Sequence, residues 1–215
     1  RLRDMGLLED TVVILRTDHG FLHGEHGIIG KSRLLPDRVF YIPLYEELVH
    51  IPLIVHCPGS VAGRKEAVVQ PMDFMPTMLE MAGLDVPESV HGRSFDQVLQ
   101  GGPDVRREFV VTSPFVGGNQ VAAMVTEAPW SAVLWSTPPE GARVVDKAVD
   151  GLAKEQSTDA ENRDMLFNLE SDPGQQLDLA GEHPEIVARL RARLLDTWRE
   201  LGASDDTIRR WQPVG

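Results

Sequence analysis

The segment 11–33 constrains the fold of this chain more than any other stretch, because a short apolar run leads directly into polar residues. The apolar run, 12–15, lacks the alternation of a half-exposed strand, so it predicts a buried strand of a parallel sheet. Asp18 and His19 follow it closely. Ligands of open α/β sheets bind beyond the carboxyl ends of strands. The sequence therefore predicts a functional site just after this strand.

A loop rich in glycine and histidine follows this pair and ends at Lys31. The carboxylate of Asp18 suits Mg, Ca or Mn, and the imidazole of His19 shifts the preference toward Zn or Mn. Lys31 supplies a compact positive charge that can bind a tetrahedral oxyanion. Turn capping and solvation also explain each residue taken singly. Their close spacing makes a metal- and anion-binding site an equally good interpretation.

Composition limits the classes of partner. The chain has 215 residues with 21 basic and 33 acidic side chains, and its formal net charge of -12 argues against nucleic acid or an anionic membrane as partner. No apolar run has the length of a transmembrane helix. The single cysteine, Cys57, excludes an internal disulfide, so it favours a reducing, cytoplasmic compartment.

Two regions of different character are predicted, with a boundary near residue 104. In residues 1–104, the segment 48–56 predicts a second core strand, and a helix is predicted from Asp73 as its N-cap to Gly83 as its C-cap. A short helix is predicted at 94–100.

Residues 105–215 predict an antiparallel sheet, because short apolar segments alternate with turn residues. The predicted strands are 109–112, 121–126, 130–135 and 165–169. A polar, exposed loop is predicted at 150–163, and a closing amphipathic helix is predicted to begin at Pro184.

The first segment, TDHGFLHGEHGIIGK, resembles the S/T-D-H/N-G and G-E-H-G-x-x-G-K region of the sulfatases. Further blocks resemble the same family in the same order along the chain. They are YEELVHIPLIV at 45–55, DFMPTMLEMAG at 73–83, HGRSF at 91–95 and LFNLESDPGQQ at 166–176. The ordered set is more specific than any single block.

The resemblance implies an alkaline-phosphatase-like α/β fold: part of its large sheet with flanking helices, then a small antiparallel-sheet subdomain closed by a C-terminal helix. It also implies that Asp18 and His19 ligate a divalent metal, with Ca expected and Mg or Mn as alternatives. Lys31 would contact the sulfate group. His26 in the same loop either lines the site or stabilises the turn.

The nucleophile that the resemblance implies is a formylglycine, formed from cysteine within C-x-P-S-R. Around Cys57 the sequence is CPGSV, with the proline one position early and no arginine, so Cys57 is interpreted as structural. The family's N-terminal pair of metal-binding aspartates has no counterpart here either. The chain is therefore expected to match only the C-terminal half of a sulfatase, and the N-terminal half of the same protein is its expected partner.

The resemblance thus implies hydrolysis of a sulfate ester of a small molecule or glycan. The Asp18-His19 pair, where many members have Asp-Asn, leaves open hydrolysis of a phosphonate or phosphate ester. A truncated fragment without activity is the third interpretation. The sequence does not determine the oligomeric state.

Overall fold

The structure is a computed structural model that describes residues 1–31, 33–35, 38–41, 44–103, 107–113, 122–137 and 163–213, with the backbone alone at 33–35 and 38–41. The strands are β1 Val13–Arg16, β2 Leu22–His23, β3 Ile29–Gly30, β4 Arg33–Leu35, β5 Arg38–Tyr41, β6 Leu53–His56, β7 Val110–Thr112, β8 Ala122–Glu127, β9 Trp130–Trp135 and β10 Met165–Asn168. The helices are α1 Glu46–Val49, α2 Phe74–Met81, α3 Asp96–Leu99, α4 Pro184–Glu200 and α5 Asp205–Arg210. None of the described helices is long and apolar enough to cross a membrane.

The chain divides into two compact units. Unit 1 comprises Arg1–Thr17 and Pro52–Val110, and unit 2 comprises Asp18–Ile51 and Val111–Gly215. The segment that carries the predicted site therefore belongs to the same unit as the C-terminal sheet. The predicted boundary near residue 104, between an α/β part and a smaller subdomain, stays a prediction.

The first predicted strand is present in unit 1, but its environment differs from the prediction. β1 pairs antiparallel with β6, with Val13 opposite His56 and Arg16 opposite Leu53. Leu15 is 58% exposed and Ile54 is 64% exposed. The prediction of a buried, parallel strand is thus wrong for the described residues. The physical reason is that two paired strands cover only their shared edge and leave the faces of the ladder open to solvent.

The predicted strand 48–56 is half helix and half strand. Residues 46–49 form α1, and β6 begins at Leu53, directly after Pro52. A proline lacks the N–H that a strand interior needs, so β6 begins after it. Leu48 is buried on α1, whereas the residues of β6 are half-buried or exposed. The apolar run is therefore divided between two elements with different surroundings.

The helix predicted from Asp73 is present as α2, but Asp73 does not cap it with its side chain. The carboxylate is 1% exposed and accepts hydrogen bonds from the N–H groups of Gln70 at 2.7 Å and Arg93 at 2.8 Å. Two further bonds come from the guanidinium of Arg107. Tertiary partners replaced the predicted local cap because they satisfy a buried charge more completely.

The HGRSF block has a structural role in unit 1. Gly92 passes so close to the backbone of Met72 that a Cβ on it would lie 2.0 Å from the Met72 carbonyl oxygen. This close approach delivers the Arg93 N–H to Asp73 and the N–H of Phe95 to the hydroxyl of Thr77, at 3.1 Å. The block thus ties the segment before α3 to the start of α2.

Unit 2 contains the antiparallel sheet predicted for the second half, in the order β10-β9-β8-β7. The predicted strands and the helix from Pro184 are confirmed within one or two residues, and α5 was not predicted. Residues 150–162 of the predicted polar loop lie outside the described residues. One cluster of buried apolar residues in the core of the unit consists of Leu44, Ala122, Met124, Val133 and Phe167.

Helix α4 packs on this sheet through Leu190 and Leu194, both 0% exposed. Arg191, on the same helix, donates to the carbonyl of Trp211 after α5 at 2.8 Å and pairs with Asp164 before β10. The closing helix is thereby fixed to unit 2 by apolar burial and by a satisfied buried charge.

Candidate functional site

The polar pair after the first strand adopts one defined arrangement in unit 2. The His19 ring nitrogen Nδ1 lies 2.7 Å from the carbonyl oxygen of Gly20. A carbonyl oxygen only accepts, so Nδ1 carries the proton and Nε2 presents a lone pair when the ring is neutral. Metal-bound histidines commonly donate their second ring N–H to a backbone carbonyl in this way. The orientation of His19 is therefore that of a histidine prepared to ligate through Nε2.

Both predicted partners converge on this nitrogen. The ammonium Nζ of Lys31 lies 2.9 Å from His19 Nε2, and Oδ2 of Asp18 lies 3.3 Å from the same atom. Asp18 also accepts the backbone N–H of His19 through Oδ1 at 3.0 Å. The structure thus brings together three residues that the sequence analysis selected: a carboxylate, an imidazole and an ammonium.

The site is open to solvent. The side chains of Asp18 and His19 are 78% and 36% exposed, and Lys31 is exposed as well. A ligand can therefore reach this cluster without local unfolding. In bulk solvent such charges interact weakly, whereas exclusion of water by a substrate strengthens their attraction for an anion.

Gly20 fixes the position of the pair against α1. Its N–H donates to the carbonyl of Leu48 at 2.9 Å. A Cβ on Gly20 would lie 1.7 Å from the carbonyl oxygen of Glu47, so only glycine allows this approach. The short helix of the YEE block thus serves as the support of the Asp18-His19 segment.

His26 occupies a separate environment on the hairpin formed by β2 and β3. Its backbone is left-handed, with φ 53°, and its ring stacks on Tyr45 with centroids 3.5 Å apart and planes inclined by 5°. Its Nε2 lies 3.7 Å from Oε2 of Glu47, too far for a hydrogen bond. Neither of these two buried atoms has a hydrogen-bond partner within the described part of the chain.

The phenol of Tyr45, on which the His26 ring stacks, has a raised pKa. Burial raises the pKa of the Tyr45 phenol, and the nearby carboxylates of Glu47 and Asp178 raise it further. Tyr45 therefore stays a neutral phenol at physiological pH and supplies His26 with an apolar ring face.

On the β2–β3 hairpin that carries His26, the backbone N–H groups of residues 25 and 23 lower the pKa of Glu25.

Three histidines that the sequence analysis did not select, and the predicted structural residue Cys57, have the following surroundings. His50 Nδ1 lies 3.0 Å from Glu46 Oε2, and His56 Nε2 lies 3.1 Å from the carbonyl of Leu8. Cys57 is a free, half-buried thiol. His91 is exposed at the surface.

Sequence reasoning missed Gln175. Its side chain is 2% exposed, and its Oε1 accepts the backbone N–H of Glu46 at 2.7 Å. The two residues are 129 positions apart, and no local pattern links them. The DPGQQ sequence predicts only a turn.

The donor atoms of Asp18 and His19 suit part of a divalent-metal site. No group of three His, Cys, Asp or Glu side chains in the described ranges is arranged to hold an ion. Asp18 and His19 fit two ligand positions, since a carboxylate oxygen lies 3.3 Å from a ring nitrogen and the ring proton is held by the Gly20 carbonyl. Hard cations need more ligands than these two side chains supply.

Comparison with known proteins gives consistent matches. A family model described as "N-sulphoglucosamine sulphohydrolase, C-terminal" matches residues 24–111. Arylsulfatase K of Bos taurus is 29% identical over 203 residues, covering 90% of this chain and 32% of the relative. Arylsulfatase K of Xenopus laevis is 30% identical over 204 residues, with the same coverages. The chain thus spans about a third of the length of these curated relatives.

Solved structures with similar folds cover nearly the whole chain. A 2-O GAG sulfatase has a TM-score of 0.69 at 22% identity, covering 92% of this chain and 38% of the other. A phosphonate monoester hydrolase from Silicibacter pomeroyi has a TM-score of 0.68 at 24% identity, covering 93% and 37%. These matches confirm the predicted fold class.

Proposed function

We propose that this chain, which belongs to the sulfatase family, supplies the C-terminal part of the active site of a metal-dependent sulfuric ester hydrolase. Asp18 and His19 are its metal ligands, and Lys31 contacts the sulfate group. The observation that carries the proposal is the convergence of the Asp18 carboxylate and the Lys31 ammonium on His19 Nε2, whose ring proton is held by a backbone carbonyl.

The chemistry of these groups suits the transfer of a sulfuryl group. Asp18 and His19 would help to hold a divalent cation, with calcium preferred and magnesium or manganese as alternatives, which would neutralise charge on the oxygens of the ester. Lys31 stabilises the negative charge that develops on the transferring group. A flexible lysine is suited to this role because its ammonium can bind His19 or an anion with the same three donors.

In our proposal His26 has a proton-transfer role, from its separate place on the β2–β3 hairpin. Its ring is held by the Tyr45 face and lies near Glu47, and its unpartnered Nε2 can exchange a proton once a substrate or water reaches it. The formylglycine nucleophile and the remaining metal ligands belong to the N-terminal half of the same protein, which is the proposed partner. The substrate is a sulfate ester of a small molecule or glycan.

Exposed apolar residues of unit 1 support the proposed partner. Val12, Val13, Leu15 and Ile54 are 41%, 37%, 58% and 64% exposed on or beside the β1–β6 ladder. Strands with continuous apolar runs are usually covered on both faces. Helices flanking a large α/β sheet are the kind of cover that such a ladder requires.

The test uses Lys31→Ala in the complete enzyme, with Lys65→Ala as the matched control on an exposed loop. We expect turnover of an aryl sulfate to fall by about a hundredfold to a thousandfold, as for the loss of one preorganised donor to an oxyanion. Stability should change by no more than about 0.5 kcal/mol, because Lys31 is exposed. Near-normal turnover of the Lys31→Ala enzyme contradicts the proposal.

A second candidate is a phosphonate or phosphate ester hydrolase, favoured by the Asp18-His19 pair itself. The same cluster neutralises the oxygens of a phosphonate monoester. Comparing kcat/KM for an aryl sulfate and an aryl phosphonate, with one enzyme preparation, decides between them.

A further inference from the structure

Gln175, in unit 2, has an uncommon backbone conformation. Its backbone lies in the left-handed region, with φ 48°, which residues other than glycine seldom adopt. The turn that imposes this conformation is closed by the Gln175 N–H bonding to Asp172 O at 3.0 Å and by the Leu177 N–H bonding to Asp172 Oδ2 at 2.8 Å. A strained turn thus directs a polar side chain into the interior.

The target of this side chain is the first residue of α1. The N–H groups of a first helical turn have no partner within the helix. Tyr45 at the N-cap position provides no side-chain acceptor, and Gln175 Oε1 accepts the Glu46 N–H instead. A distant residue therefore caps the helix.

The other contacts of α1 lead to the candidate site. The Leu48 carbonyl accepts the N–H of Gly20, and the Glu47 carbonyl lies against the Gly20 Cα, with no room for a side chain. Gly20 in turn accepts the ring proton of His19. A continuous series of hydrogen bonds and close contacts therefore joins Gln175 to the imidazole that we assign to the metal.

We infer that Gln175 is a positioning residue: it holds α1, and through α1 it holds Gly20 and the orientation of His19. The inference rests on the proposed function for its consequence in the enzyme, but the mechanical connection stands on the contacts alone. Gln175 touches no reacting group, so its effect is on the placement of the Asp18-His19 pair. Its replacement loosens that pair without removing a ligand.

Amide hydrogen exchange in the 215-residue chain tests the connection directly. In Gln175→Met, which keeps the length of the side chain but removes the acceptor, exchange should accelerate about threefold to tenfold at both Glu46 and Gly20, as for the loss of one hydrogen bond. Amides of β8 should not change.

The matched control is Gln176→Met. The Gln176 side chain is exposed, and its hydrogen-bond partner among the described residues is the carbonyl of Gly174, at 2.7 Å, so its replacement should leave both amides unchanged. Acceleration at Glu46 with Gly20 unaffected overturns the inference, because Gln175 would then be a local cap. If Gln175→Met fails to fold, Gln175→Asn withdraws the amide by one methylene and takes its place.

In the complete enzyme, Gln175→Met should weaken calcium binding about tenfold, the lower end of the effect of outer residues on metal sites, and lower kcat more than it raises KM. Asp18→Ala should abolish calcium binding. If Asp18→Ala leaves calcium affinity unchanged, the proposed function is wrong. Amide hydrogen exchange at Glu46 and Gly20 then still tests whether Gln175 positions Gly20. If Asp18→Ala abolishes binding and Gln175→Met leaves affinity and exchange unchanged, the inference is wrong and the function stands.

Discussion

The buried ion pair between Asp73 and Arg107 provides a quantitative test of unit 1. Their side chains are 1% and 10% exposed, and the variant Arg107→Met keeps an apolar stem while it removes the guanidinium. The Asp73 carboxylate then retains only the N–H groups of Gln70 and Arg93. Breaking a buried pair on one side typically costs about 3–5 kcal/mol. We expect the free energy of unfolding of this region to fall by about 3 kcal/mol, because two backbone N–H groups still donate to the carboxylate.

The assay is hydrogen exchange measured by mass spectrometry on peptides from α2 and from 90–98. A loss of about 3 kcal/mol corresponds to exchange about a hundredfold faster in this region. Tryptophan fluorescence serves as an internal control, because all four tryptophans lie in unit 2 at 130, 135, 198 and 211. The unfolding transition that it reports should be unchanged.

Arg64→Met is the matched control, since Arg64 pairs with Glu66 on the surface with 90% of its side chain exposed. Its effect should stay within about 0.5 kcal/mol. The double variant Asp73→Asn with Arg107→Met should recover part of the loss, because no buried charge is left unpaired. An acceleration of less than about threefold in Arg107→Met, or a double variant worse than the single one, refutes this reasoning.

Two predictions concern the proposed function. The 215-residue chain alone should not hydrolyse an aryl sulfate, because no nucleophile is assigned within it; turnover by a mass-verified preparation contradicts this expectation. The same chain should bind calcium or magnesium weakly in calorimetry, because Asp18 and His19 supply only two ligands. In the complete enzyme Asp18→Ala should abolish tight binding of the metal. The control Asp85→Ala, at an exposed position, should leave it unchanged. Equal metal affinities of the two variants count against the metal assignment.

Local patterns predicted much of the secondary structure. The strands of the C-terminal sheet and helix α4 follow from alternation and helical periodicity, which act over neighbouring residues. The prediction at 48–56 was confirmed for 53–56 and wrong for 48–49, because an apolar run alone does not distinguish a short buried helix from a strand. Asp73 was predicted as a cap because that role is local, whereas its partners Arg93 and Arg107 come from distant parts of unit 1.

The sequence by itself determined the chemistry available at the candidate site: a carboxylate, an imidazole and an ammonium within 14 residues, 18–31, with glycines that permit a tight loop. Only the tertiary structure decided how these groups are oriented. The His19 ring proton is bound by Gly20, Gly20 rests on α1, and α1 is capped by Gln175 from 129 residues away. The His19–Gly20 bond joins neighbours in the chain, but the contacts of Gly20 with α1 and of α1 with Gln175 join segments that meet only after folding, so residue type and spacing do not encode them in any local pattern.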